Sequence, residues 1–445
     1  MNNLEKAKSI FLQAKNLAGT SSQVEIFLSS VKSSSIVWSE RRLEDYRMSS
    51  STGVGIKLIK SCRQGCAYTS DFSDSSIKNL VDSAIRNIEL IEPDPFYSIA
   101  SPEITDSSLD VCDDVFGKKS VQEHIKTLQE TEKSVLADKK IKSVLDAHYS
   151  ETYGETCLVN SNDICLSARG TAFSFGISLV AEYLGDTQTG GEYAVKRIAS
   201  DIDIELTTSM AVKNAVGLLG AKLVKTGRYD VILDPAVSCD FLMLLVPSFS
   251  AYSVQKNVSL LAGKIGQKVC SDLITLTDDG TLKNGVSTAS FDDEGTPTRR
   301  NPLIEKGILK TYLYDRYTAA RDKRKSTGNA SRGYSGFSVP SATNIYFSSG
   351  ASDFDGLLKN MGTGIYITET LGMHNADPVS GEFSVGANGF FVESGCIKYP
   401  VHGITIAGNV LNFFENVSGV GREVKFYGSI GCPALLIKNL SVAGE

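Results

Sequence analysis

Three consecutive carboxylates, Asp292, Asp293 and Glu294, followed by Gly295, are the densest potential chemistry in this chain. Adjacent carboxyl groups raise one another's pKa, so such a cluster could act as a general acid or hold a metal. Successive residues of a strand point to opposite faces, however, so three in a row do not converge on one site. The simpler expectation is an acidic turn whose charges pair with Arg299 and Arg300, just downstream. A basic run, Arg321 to Lys325 (RDKRK), leads into Ser326, Thr327, Gly328 and Asn329. Those residue types could bind phosphate, but no strand, Gly-rich turn, Lys-Ser/Thr and helix surround them in the order of a Walker loop. A solvated charge run is the reading that remains.

Zinc hydrolysis on a helix needs two imidazoles on one face and a carboxylate between them to take a proton from the metal-bound water. The chain has four histidines, His124, His148, His374 and His402, and no two stand within a helical turn of each other. A helical zinc pair is excluded. His374 lies in GMHNADPVSGEFS, where turn chemistry dominates, and could orient a substrate carbonyl or cap a backbone carbonyl. Cys396 and His402 suggest a thiol–imidazole pair, but six residues apart on one strand they stand roughly 20 Å from each other. Cys62 and Cys66 have no second pair or histidine nearby, and read as reduced thiols around a turn. Nine scattered cysteines form no disulfide framework.

The elements that must carry these residues are legible in outline. At 445 residues two or three domains are expected. The net charge of −6 gives no electrostatic reason to bind nucleic acid. The longest apolar run, Phe241 to Val246, is too short to span a bilayer. Leu4, Ala7, Ile10, Phe11, Ala14 and Leu17 have the spacing of an amphipathic helix rather than of a signal peptide, so a cytoplasmic location is expected. Residues 24–71 read as antiparallel strands, 76–90 and about 120–137 as helices, 140–204 as more strands, and 205–223 as a helix. A Pro- and Asp-containing connector at 92–114 subdivides the first part. Thr226 to Pro235, a short apolar strand ending in Asp-Pro, marks the sharpest change, which places one domain at 1–222 and another at 223–445. LIEKGILK (303–310) and FVESGCIK (391–398) share a Gly-turned hairpin pattern. The fold class is α+β: N-terminal helices on antiparallel strand meanders, then a curved, mainly antiparallel or barrel-like sheet.

Two dense stretches, DDEGTPTRRNPLIEKGILKTYLYDRYTAARDKRKSTGNASRG (292–333) and TLGMHNADPVSGEFSVGANGFFVESGCIKYPVHGITIAGN (370–409), resemble the TldD/PmbA family. TldD-type members of that family are zinc peptidases with a His-Glu-x-x-x-His helix. This chain lacks that helix and so resembles the PmbA (TldE) branch. The segment matching the zinc helix is Ala236 to Ser250, which offers Cys239 and Asp240 but no histidine and no glutamate.

The resemblance implies a cytoplasmic two-subunit protease in which a TldD-like subunit carries zinc and this chain closes a cavity for unfolded peptide. Family roles include peptide maturation and degradation. No catalytic residue, metal or cofactor is expected in this chain. Asp292, Asp293, Glu294, His374 and Ser380 are the substrate-cavity candidates, and Phe241, Leu244, Leu245, Phe249, Met373 and Phe383 the contact-surface candidates. A TldD-like chain is the expected partner, with a homodimer in isolation, and neither nucleic acid nor membrane is expected to bind. The rival expectations are a self-sufficient hydrolase with an unrecognised site and a regulatory module, a gyrase modulator, without proteolysis.

Overall fold

The first helix forms because Asn2 accepts a hydrogen bond from the Glu5 amide and Ala7, Ile10 and Ala14 line one buried stripe. The computed structural model describes residues 2–19 and 21–445. Helix α1 (Asn3–Ala18) is followed by α2 (Asp74–Glu89), which Ser73 caps, and by α3 (Val121–Val135), which opens on a capping box between Ser120 and Glu123. Helix α4 (Ile204–Gly217) ends about a turn and a half before the end expected from the sequence.

These helices pack on one long antiparallel sheet of β1 (Gln23–Ser39), β2 (Arg42–Lys60), β3 (Arg63–Thr69), β4 (Ile141–Asn160), β5 (Cys165–Tyr183) and β6 (Asp186–Lys196), in the order β3-β2-β1-β4-β5-β6. Strands from both sides of the connector around residues 92–114 join in this sheet, because β1 pairs directly with β4. Alternation along β1 explains the layering. Val24, Ile26 and Leu28 meet α1 and α2, and Ile36 and Trp38, of the same parity, meet α3 further along the same face. The opposite face presents Glu25 and Phe27. Phe27 is covered by Ala100 and by Tyr334 from the second half of the chain.

The second half contains β7 (Gly227–Leu233), α5 (Pro235–Leu245), α6 (Ala251–Gln255), β8 (Leu276–Asp279), β9 (Arg300–Glu305), β10 (Ile308–Leu309), α7 (Arg316–Arg321), β11 (Ala330–Ser331), β12 (Val339–Pro340) and β13 (Ile345–Phe347). Then come α8 (Phe354–Met361), β14 (Gly364–Leu371), β15 (Glu382–Glu393), β16 (Cys396–Asn409), α9 (Val410–Glu415), β17 (Val417–Tyr427) and β18 (Ile430–Ala443). Strands β7, β14, β15, β16 and β18 form a closed ring, since β18 pairs with β16 on one side and with β7 on the other. This is the curled, barrel-like sheet that the hairpin spacing suggests. It is mixed rather than uniformly antiparallel, because β7 runs parallel to β14 and β13 parallel to β18. Both Gly-turned hairpins form, with Lys306–Gly307 and Ser394–Gly395 all at positive φ, the geometry of a two-residue type I′ turn. Among the described residues no helix is long and apolar enough to cross a membrane.

Candidate functional site

The acidic turn is held by its own backbone. Asp292 Oδ1 accepts hydrogen bonds from the amides of Glu294 (3.0 Å) and Thr296 (2.9 Å), and Oδ2 accepts from the Ala330 amide (3.0 Å). Asp293 Oδ2 accepts from the Arg332 amide at 2.8 Å. Glu294 Oε2 accepts from the Arg316 amide at 2.9 Å, and Oε1 lies 3.5 Å from Lys57 Nζ. The expected pairing with Arg299 and Arg300 does not occur. Arg299 reaches only the Pro297 carbonyl, and Arg300 is exposed on β9. The turn instead folds into the N-terminal sheet, where Glu25 Oε1 meets Lys57 Nζ at 3.2 Å and Arg332 Nη2 at 2.7 Å. Glu25 and Lys57 are cross-strand neighbours on the face that the second half covers.

Burial alone would raise the Glu25 carboxyl, but Lys57 and Arg332 outweigh it and hold the group below its ordinary value. Burial pushes Asp293 up to about 6. Burial and the Glu294 charge together push Asp315 up to about 6. The same two causes raise Asp292, against the pull of its three amide hydrogen bonds. Glu294, Asp315, Lys57 and Arg332 line a cavity of about 470 Å³ between β2, β3, α6 and α7.

A larger cavity, about 1140 Å³, lies between β5, β6 and α4 on one side and the start of α5, β14 and β17 on the other. Asp234 caps α5 through the Ala236 amide and also accepts from Tyr366 Oη at 2.6 Å. Burial and the Asp234 charge raise the Tyr366 phenol far above its usual range, which keeps it a donor. Two strand edges border this space. Strand β6 pairs only with β5, and β14 runs on to Leu371 after its pairing with β7 ends at Ile367. Thr368 and Glu369 from that free stretch, with Gly190 and Gly191 from β6, line the cavity.

The remaining sequence candidates lie elsewhere. His374 is exposed on a short turn, and Ser380 Oγ donates to Asp377 Oδ2 at 2.7 Å in an exposed loop. Neither lines either cavity, and neither is brought to the acidic turn. Phe241, Leu244, Leu245, Phe249 and Phe383 are buried in the C-terminal core, and Met373 packs half-buried against it. Phe241 stacks on Phe413 at 4.4 Å between centroids and meets Phe383 edge-on at 4.9 Å. The first five fill this chain's interior as ordinary core, the other role open to them from the sequence, and Met373 keeps part of its surface exposed. Cys396 and His402 do share strand β16. The turn near Cys62 is made by Ser61 and Cys62 themselves, both at positive φ, and Cys66 lines the smaller cavity. Glu25, Lys57, Arg332 and Asp315 were missed. The available signal was a lone charge inside each apolar strand, VEIF and GIKLI, which marks a buried partner from elsewhere in the chain.

Helix α5 is where a metal would be sought, directly after the strand-Asp-Pro junction. Its two candidate donors are already engaged: Cys239 Sγ donates to the Ile430 carbonyl at 3.6 Å, and Asp240 Oδ2 accepts from Thr370 Oγ1 at 2.6 Å. Among the described residues no group of three or more His, Cys, Asp or Glu side chains is placed to hold a metal ion. The residues present do not fit a zinc centre.

A six-stranded helix-backed sheet joined to a barrel-like mixed sheet, with a strand-Asp-Pro-helix junction at the cavity between them, is the architecture this chain shares with a family of peptidase-related proteins. The chain belongs to the PmbA/TldD family. Residues 24–88 match the family model described as PmbA/TldA metallopeptidase domain 1, residues 114–219 the central domain, and residues 226–444 the C-terminal domain. Metalloprotease PmbA of Escherichia coli O157:H7 is 28% identical over 447 residues, covering 99% of this chain and 96% of that protein. A solved Thermotoga maritima structure, described as a candidate modulator of a DNA gyrase, is 28% identical with a TM-score of 0.90 over 99% of both chains. TldE from Thermococcus kodakarensis has the same fold, with a TM-score of 0.88 at 23% identity over 99% of this chain and 100% of that one.

Proposed function

We propose that this chain is the non-catalytic partner subunit of a TldD-type zinc metalloprotease acting on unfolded peptides in the cytoplasm. One observation carries the reading. The helix that follows the strand-Asp-Pro junction has no histidine, and its two donor side chains are already bonded within the fold. A chain of this kind contributes shape rather than a reacting group: it encloses the substrate and keeps folded proteins out. The edge of β14 beyond Ile367 supports a role in holding extended chains, whereas α4 covers part of the β6 edge through Asn214 Nδ2, which donates to the Gly191 carbonyl. Backbone hydrogen bonding to such edges accepts any sequence that can extend, and rejects chains whose backbone is already paired. Phe241 and its buried neighbours are taken up by this chain's own core, which favours other residues for the surface that meets the partner.

Metal analysis of the purified chain, with a cleavage assay on an unfolded peptide, tests the absence of intrinsic catalysis. The expected result is no stoichiometric zinc and no cleavage. One tightly held zinc per chain, or cleavage by the chain alone that resists further purification, would favour a self-sufficient hydrolase instead.

A further inference from the structure

The smaller cavity lies away from the α5 junction and has a composition of its own. Its floor is charged and buried: Glu294 is 4% exposed and Asp315 2%, and both face it together with Lys57 and Arg332. Its mouth is apolar and open, with Leu90 80% exposed and Phe337 69%, and Ile91 and Val339 alongside. Tyr97 and Tyr317, stacked at 5.2 Å between centroids, form part of the wall.

Two further cations on the lining, Lys256 and Arg321, are exposed and stand outside the buried floor, where positive charge is in deficit. Lys57 and Arg332 are both engaged by Glu25, and Lys57 reaches Glu294 only at 3.5 Å. Asp315 uses only Oδ1, which accepts from the amide and hydroxyl of Thr318, and Oδ2 has no partner among the described residues. Buried acceptors without donors are costly, and a group that brings several N–H donors and one positive charge offsets that cost. Burial holds Asp315 partly protonated, up to about 6, which is consistent with a missing cation.

We propose that this cavity binds a primary ammonium carried on a short apolar body, with the ammonium at Glu294 and Asp315 and the apolar part against Tyr97, Leu90 and Phe337. A volume of about 470 Å³ suits an amino-acid-sized to dipeptide-sized ligand. The chemistry is shared by small free amines and by the N-terminal residue of a peptide.

Isothermal titration of the full chain with phenylalanine amide and with N-acetylphenylalanine amide tests the charge requirement. The amine should bind about tenfold or more tightly than its acetylated form. Asp315→Asn, which keeps the Oδ1 acceptor, should weaken the amine by about tenfold and leave the acetylated form unchanged. Phe337→Ser, at an exposed position that does not threaten folding, should weaken both probes about threefold. Phe-Gly-Gly amide separates the two sources: binding as tight as that of phenylalanine amide indicates a peptide N-terminus, and much weaker binding a small amine. Equal affinity for the acetylated probe, unchanged affinity in Asp315→Asn, or no binding of either probe at about 10 mM would overturn the proposal.

Discussion

Asp315 caps α7 through Thr318 and also faces the charged floor of the smaller cavity, and the two roles pull against each other. Its carboxyl sits at about 6 in the folded chain against an ordinary 3.8, from burial and from the charge of Glu294. Below about pH 4 the folded and unfolded chains both hold the proton. As pH rises the unfolded chain releases it first, so this group's contribution to stability falls across about pH 4 to 6 and stays low above that. Asp315→Asn preserves both hydrogen bonds at Oδ1 and removes the buried charge. The variant should be more stable than the parent by about 3 kcal/mol at pH 7.5, with the gap closing towards pH 4. Urea unfolding at several pH values measures this, and a gap independent of pH would contradict it. The same variant is the one expected to lose amine affinity, so stability and binding trade against each other at a single side chain. Little of this was legible in the sequence. Asp315 stands in a polar stretch, and only the fold reveals that Glu294, Lys57 and Arg332 converge on it from three distant segments.

Elements with local rules were readable in advance. The helices expected at 76–90 and about 120–137 are α2 and α3, which Ser73 and the Ser120–Glu123 pair start within one turn. The two Gly hairpins were readable for the same reason. Elements whose meaning depends on distant packing were not. The run Phe241 to Val246 has too many apolar residues for one stripe, and such a run fits either a docking face or a helix buried on nearly all sides. The fold decides for burial, because Phe383 and Phe413 close over Phe241. Phe241→Ala should therefore cost about 3–5 kcal/mol in unfolding free energy and leave the solution mass of the folded protein unchanged. Chemical denaturation with analytical ultracentrifugation checks both halves. A near-neutral stability change with an altered association state would show that the residue serves a contact surface after all.

At the scale of the whole molecule, one N-terminal sheet and one barrel-like sheet enclose the larger cavity, and no metal-holding cluster stands among the described residues. The candidate substrate residues named from sequence divide accordingly. Asp292, Asp293 and Glu294 became part of the buried joint between the two halves, and His374 and Ser380 stayed on an exposed loop. What the sequence conveyed most directly was an absence, four histidines too far apart for a helical zinc pair, and that absence needs no fold to be read. The proposed function has this chain act together with a zinc-bearing one. The most direct test is co-expression with a paralogue carrying His-Glu-x-x-x-His, followed by purification through a tag on this chain and an assay of an unstructured peptide against a folded protein of similar composition. The account predicts that the two chains co-purify, that the pair cleaves the peptide and spares the folded protein, and that neither chain alone matches the pair. Failure to co-purify, together with full activity of the zinc-bearing chain alone, would contradict it.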